Sequence, residues 1–142
     1  MIKGIFMNMK RYFESYRCIN SGDIRGGMEF AVRQILHVLP EFTEHFEKAY
    51  SECGFYKPTE NVDWTTGFWT GEIWLAYEYA LDNADKFEAG AADKLRAAAE
   101  IQMKSFLYRI DNKIEVDHHD MGFLYSPSCV AGYKLIGSEV GK

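Results

Sequence analysis

The sequence predicts an all-α fold of helices packed in antiparallel pairs. Apolar residues recur at three- and four-residue steps in several stretches, the signature of one buried helix face. The breaks between these stretches hold Gly, Pro, Asp and Asn, which end helices. No stretch has the alternation and tight turn of a β-hairpin, or a βαβ pattern.

Residues 1–22 mix Met, aromatic and basic side chains without a period and are expected to form a weakly ordered lead-in. Residues 23–142 are expected to form one helical domain. Ile24, Met28, Val32, Ile35 and Leu39 mark the first amphipathic helix, with Asp23 as its N-cap and Pro40 stopping or kinking it. Phe42, Phe46 and Tyr50, spaced by four, suggest a short second helix over Glu41 to Tyr50. Gly54 to Asp63 is expected to be loop. A helix from about Thr66–Phe68 to Leu81 follows, with Ile73, Leu75, Ala76, Tyr77 and Tyr79 as packing residues and Asp82-Asn83 closing it. A long helix lies within Asp85 to Ile110, on Ala91, Leu95, Ala98, Ile101, Met103, Phe106 and Ile110. Asp111 to Asp120 is polar loop. A last helix over Met121 to Leu135 must accommodate Pro127 near a first turn or at a kink, and ends at Gly137.

Charge and composition narrow the function. Lys and Arg number 16 against 21 Asp and Glu, a net charge of −5, which argues against a general nucleic-acid binder. No apolar run approaches the roughly 18–20 residues of a membrane span. The apolar start, Met1 to Met7, is too short for a secretory signal. Cys18, Cys53 and Cys129 form no C-x-x-C pair, so a reducing, cytoplasmic location is the simpler expectation. Aromatic residues reach 15%, enough to fill a core and also to furnish flat surfaces for sugar rings.

Two segments carry candidate chemistry. In Asp63-Trp64-Thr65-Thr66-Gly67-Phe68-Trp69-Thr70-Gly71, the indoles of Trp64 and Trp69 flank a helix start, and Gly67 and Gly71 permit close approach of another backbone. The same residues also fit simple capping by Asp63 or Thr65, with Trp in the core. In Asp117-His118-His119-Asp120-Met121-Gly122-Phe123, two acids and two imidazoles admit three readings. Metal binding is geometrically poor, because adjacent histidines seldom converge on one ion and no H-E-x-x-H pattern is present. Acid/base or sugar-gripping chemistry suits a carboxylate beside imidazoles. A capping Asp with solvated histidines is the third. His37 and His45 sit in expected helices as surface or packing residues, and Cys129 lacks a spaced His or Asn that would make it a nucleophile.

Val62 to Tyr79 (VDWTTGFWTGEIWLAYEY) and Asp117 to Ser138 (DHHDMGFLYSPSCVAGYKLIGS) resemble the two N-terminal signature blocks of glycoside hydrolase family 88. These are the unsaturated glucuronyl hydrolases, including unsaturated chondroitin disaccharide hydrolases. Leu39 to Thr43, Gln102 to Phe106 and Arg109-Ile110 also fit the pattern, so the resemblance covers about Met28 to Ser138. It implies an (α/α)6 barrel whose cleft takes an oligosaccharide ending in a 4,5-unsaturated uronic acid. It implies hydration of the C4=C5 double bond: an acid gives a proton to C4, water adds at C5, and the resulting hemiketal opens and releases the saccharide. Asp120 matches the first of two essential aspartates, His119 a neighbouring cleft histidine, and Trp64 a cleft tryptophan that packs on the unsaturated ring. The second aspartate, the proton donor, falls beyond the second block. No metal or cofactor is implied.

Twelve helices with their connections need roughly 190–200 residues. The 142 residues here hold four or five, about the first third of such a barrel. The expectations are therefore a front portion with little activity alone and self-association through unpartnered apolar faces. The alternatives are an unsaturated rhamnogalacturonyl hydrolase relative, or a non-catalytic helical module that binds sugar or another protein.

Overall fold

A computed structural model describes residues 18–142, so most of the expected lead-in lies outside the described residues. Helix α1 spans Ser21–Phe42. Its N-cap is Asn20 rather than Asp23: Asn20 Oδ1 accepts from the Gly22 and Asp23 backbone N–H groups, and the Asp23 carboxylate accepts from Asn20 N–H at 3.0 Å. Asp23 thus closes a reciprocal capping box from the third helical position. Pro40 lies inside α1, which continues to Phe42. Only the second half of the expected apolar face is used. Val32 and Leu39 are buried, whereas Ile24 and Met28 stay exposed.

The short helix expected over Glu41 to Tyr50 does not form. Phe46–Glu47 is strand β1, paired antiparallel with β2, Pro58–Thr59, and the chain reverses through Cys53 and Gly54 at φ 53° and 83°. Phe46 has a core place to fill, edge-on to Phe106 with centroids 5.5 Å apart. That contact overrides the four-residue spacing, which mimicked a helix face. His45 accordingly lies outside any helix.

Helix α2, Thr66–Asp82, and helix α3, Ala91–Asp111, form the central antiparallel pair, joined through a 3-10 turn at Ala84–Lys86. Thr70 near the start of α2 donates to Gln102 Oε1 in the second half of α3 at 2.7 Å. Ile73, Leu95, Ala99, Met103 and Phe106 are buried between them, while Leu75, Ile101 and Ile110 face outward. Burying each large aliphatic or aromatic side chain is worth about 1.5–3 kcal/mol.

The expected last helix forms as one continuous run with a widened middle segment. Helix α4, Met121–Tyr125, passes into a π-helical segment at Ser126–Val130, and α5, Ala131–Ile136, completes it. Pro127 lacks the N–H that an α-helical ladder needs, so the widened turn forms around it. Gly137, at φ 67°, ends α5.

This third unit runs parallel to α2 in matched register. Gly67 abuts the backbone of Phe123 and Leu124, Gly71 abuts Pro127, and Trp74 Nε1 donates to Ser128 O at 3.0 Å. The N-terminal ends of α2 and α4 therefore lie side by side.

Candidate functional site

The two loops that precede these helix starts converge. Trp64, Phe68 and Phe123 form a triangle of rings with centroid separations of 6.2, 6.2 and 5.6 Å. They are 45%, 41% and 49% exposed, an unusual state for packed aromatics, so ring surface is left open to solvent. The Trp64 backbone N–H donates to Asp63 Oδ1 at 2.7 Å. Trp69 and Trp74 are core residues instead, and Trp69 Nε1 donates to Phe42 O at 2.9 Å.

Asp120 sits at the N-cap position of α4 but makes no capping bond with its side chain. Its Oδ2 lies 3.4 Å from His119 Nε2 and 4.0 Å from His118 Nδ1. The two imidazoles differ. His118 Nδ1 accepts the Asp120 backbone N–H at 3.2 Å. The His119 side chain is 92% exposed and that of Asp120 only 23%. Phe123 N–H donates to Asp120 O, so the carboxylate and the ring triangle are one helical turn apart. No group of three or more His, Cys, Asp or Glu able to hold a metal ion is found among the described residues.

What holds these loops is Arg109, a residue whose role the hydropathy pattern does not reveal. Its side chain is fully buried near the end of α3. Nη1 donates to Asp63 O at 2.9 Å and to Asn61 Oδ1 at 3.1 Å. Nη2 donates to Glu115 O at 3.0 Å and Nε to Ile114 O at 2.9 Å. Asn61 completes the cluster: Oδ1 also accepts from Thr66 Oγ1 at 2.7 Å, and Nδ2 donates to Ser105 Oγ at 3.2 Å. Burial lowers the Arg109 pKa, yet guanidinium stays charged and its fork suits several carbonyls at once. The loop it grips carries Lys113 and Glu115 at φ 55° and 45°, a left-handed conformation costing roughly 1–2 kcal/mol each. One signal was available in the sequence. Gln102 and Arg109 fall on the same α3 stripe as Leu95, Ala99 and Phe106, at three- and four-residue steps.

A carboxylate pair lies on the other side of Phe68. Glu47 and Glu72 border a small cavity of about 160 Å³ with Thr65, Phe68 and Trp69. Desolvation raises both carboxyls, and the charge of Glu72 raises Glu47 further. Phe68 also borders an apolar groove of about 410 Å³ between α2 and α5, walled by Leu75, Pro127, Ala131 and Leu135.

No protein-family profile matches the chain. It is 41% identical over 92% of its length to an unsaturated chondroitin disaccharide hydrolase of Streptococcus agalactiae, of which that stretch is 30%. It is 40% identical over 66% of its length to an unsaturated glucuronyl hydrolase of a Bacillus strain, of which it covers 22%. Among solved structures, the Streptococcus agalactiae unsaturated glucuronyl hydrolase superposes with a TM-score of 0.76 at 37% identity, covering 91% of this chain and 32% of that one. A variant of the same enzyme complexed with dGlcA-GalNAc6S superposes equally well, at 0.76 and 37% identity, over 92% and 32%. The chain thus spans about 30% of the Streptococcus agalactiae relative. Over that span its helices follow part of an α/α-barrel enzyme, as the two sequence blocks led one to expect.

Proposed function

We propose that this chain is part of an unsaturated glucuronyl hydrolase and supplies one wall of its sugar site. The observation that carries this reading is the convergence of two distant segments. Trp64 from the first block, and Asp120 with Phe123 from the second, meet beside the paired starts of α2 and α4. Exposed rings next to a half-buried carboxylate suit a sugar, whose apolar face stacks while its hydroxyls donate to the acid.

In this reading Asp120 grips ring hydroxyls of the terminal 4,5-unsaturated uronic acid, and its negative charge raises the pKa of the acid that protonates C4. Water then adds at C5 and the hemiketal opens. His119 lies 3.4 Å from Asp120 and stands in water, where it can donate to a further hydroxyl. Trp64 packs on the flat C4=C5 region. With about 30% of the Streptococcus agalactiae relative's length, the chain alone should leave the 4,5-unsaturated uronate absorbance undiminished. A cytoplasmic location belongs to the same reading, supported by free thiols at Cys18, Cys53 and Cys129. Self-association is supported by Leu75 and Leu135, which are exposed along the α2–α5 groove.

The test is a chimera in which these residues replace the matching third of the Streptococcus agalactiae enzyme. It should deplete the absorbance of an unsaturated chondroitin disaccharide. Asp120→Asn in it should lower the rate by roughly two to four orders of magnitude. Near-normal turnover of that variant removes Asp120 from the site, and a folded chimera with no turnover counts against the proposal.

A further inference from the structure

Arg109 touches both loops of the candidate site but no part of its open surface. Its buried guanidinium joins the carbonyls of Val62 and Asp63, just before Trp64, to those of Ile114 and Glu115, on the way to Asp120. Ile114 follows Arg109 by five positions, and the two exchange a pair of bonds: Ile114 N–H donates to Arg109 O at 2.9 Å and Arg109 Nε donates to Ile114 O at 2.9 Å. The second loop is thereby clasped to the end of α3, although Lys113 and Glu115 are in a conformation that residues other than glycine rarely adopt. The first loop is attached to the same guanidinium through Asp63 O, 46 residues earlier in sequence. Among the described residues, the two loops make no direct hydrogen bond to each other, so the relative placement of Trp64 and Asp120 rests on this side chain, on the backbone contact of Gly67 with Phe123 and Leu124, and on the ring contacts above it.

We infer that Arg109 is a positioning residue that sets the spacing between the Trp64 ring and the Asp120 carboxylate. This rests on the reading of Trp64 and Asp120 as two sides of one sugar site. Lysine at this position keeps the charge and loses the planar fork, so it can serve one loop but not both. The core of the α2–α3 pair does not depend on the fork, because Thr70–Gln102 and the buried Ile73, Leu95, Ala99 and Met103 hold it elsewhere.

The experiment is NMR on the isotope-labelled 142-residue chain, comparing wild type with Arg109→Lys and Arg109→Gln. The indole N–H groups of Trp69 and Trp74, bonded to Phe42 O and Ser128 O, report the core, together with the Phe46–Phe106 ring contact. The Trp64–Phe123 ring contact and the amides of 116–123 report the site. The expected result is loss of the Trp64–Phe123 contact and shifted 116–123 amides in both variants, with the core signals retained. Titration with an unsaturated chondroitin disaccharide should then show at least about a tenfold loss of affinity per folded molecule. An unchanged Trp64–Phe123 contact in a folded Arg109→Lys chain overturns the inference. So does loss of core and site signals in step, which marks Arg109 as a general stability residue. If the wild-type chain does not bind the disaccharide, the sugar-site reading loses its support, while the ring contacts still decide whether Arg109 couples the loops.

Discussion

Replacing Gly67 by alanine should separate the two helices that carry the site. A Cβ at Gly67 would lie 2.5 Å from Leu124 O and 2.6 Å from Leu124 Cα, and it would also meet Phe123 O. Ordinary contacts between such atoms are about 3.5–4.0 Å, so α2 and α4 must move apart by roughly 1 Å. All three obstacles are backbone, and no rotamer change relieves them. Overpacking of this kind costs about 1–3 kcal/mol, and a backbone collision belongs at the upper end. For a chain of this length, ~3 kcal/mol lowers Tm by about 10 °C. The assay is thermal unfolding followed by circular dichroism. Gly27→Ala is the control, since it sits inside α1 with nothing within 4 Å of the added methyl. That change should stabilise by about 0.5–1 kcal/mol through helix propensity alone. Below its Tm, Gly67→Ala should also lose the Trp64–Phe123 ring contact, because Phe123 moves with α4. A Gly67→Ala protein that melts with the wild type would refute the argument that backbone contact fixes this crossing.

Two further predictions use buried or strained polar groups. Gln102 donates to Phe42 O at 2.7 Å and to His45 O at 3.3 Å while accepting from Thr70, so Gln102→Leu strands the Thr70 hydroxyl and should cost about 1–3 kcal/mol in urea unfolding; an unchanged midpoint would show that water replaces the amide. Glu47 and Glu72 have carboxyls raised above the ordinary value of 4.5, so the folded state holds their protons more tightly than the unfolded chain. Their contribution is complete below about pH 4.5 and declines as pH rises through the raised values. Glu72→Gln should therefore melt slightly higher than wild type at pH 7 and match it at pH 4. The gain should be small because Glu72 is partly solvated, and a lower Tm at pH 7 would contradict the sign.

Helix boundaries were legible where one apolar stripe met a clear stop. Helix α2 ends at Asp82, and the predicted closure was Asp82-Asn83. Helix α3 ends at Asp111, against a predicted Ile110. Errors arose where a period existed without a partner surface or with a competing one. Ile24 and Met28 continue the α1 stripe but stay exposed among the described residues, and Phe42, Phe46 and Tyr50 keep helical spacing while Phe46 is drawn to Phe106. The candidate site divides in the same way. Trp64, His119 and Asp120 are conspicuous by residue type in short blocks. Phe123 and Phe68 were in the quoted blocks without an assigned role, since only the parallel packing of α2 and α4 brings them together. Arg109 could be placed on the buried α3 stripe, but its role stayed hidden because most of its partners are main-chain carbonyls, which every residue has.

Stability and site geometry are supplied by different residues here. Trp64 and Phe123 are about half exposed and His119 stands almost wholly in water. Such groups contribute little to folding, and substitutions at them normally stay within about 0.5 kcal/mol. The strained Lys113 and Glu115 backbone, by contrast, costs roughly 1–2 kcal/mol per residue and does not persist without compensation. That compensation is the set of buried charged hydrogen bonds from Arg109, each worth about 1.5–3 kcal/mol. In the proposed reading, the residues that would meet the sugar add little to folding, while the spacing between them is fixed from beneath by Arg109 and by the contact of α2 with α4. Loss of Asp120 should remove function and leave the melting curve nearly intact. Loss of Arg109 should disturb both, with the loops giving way before the α2–α3 core.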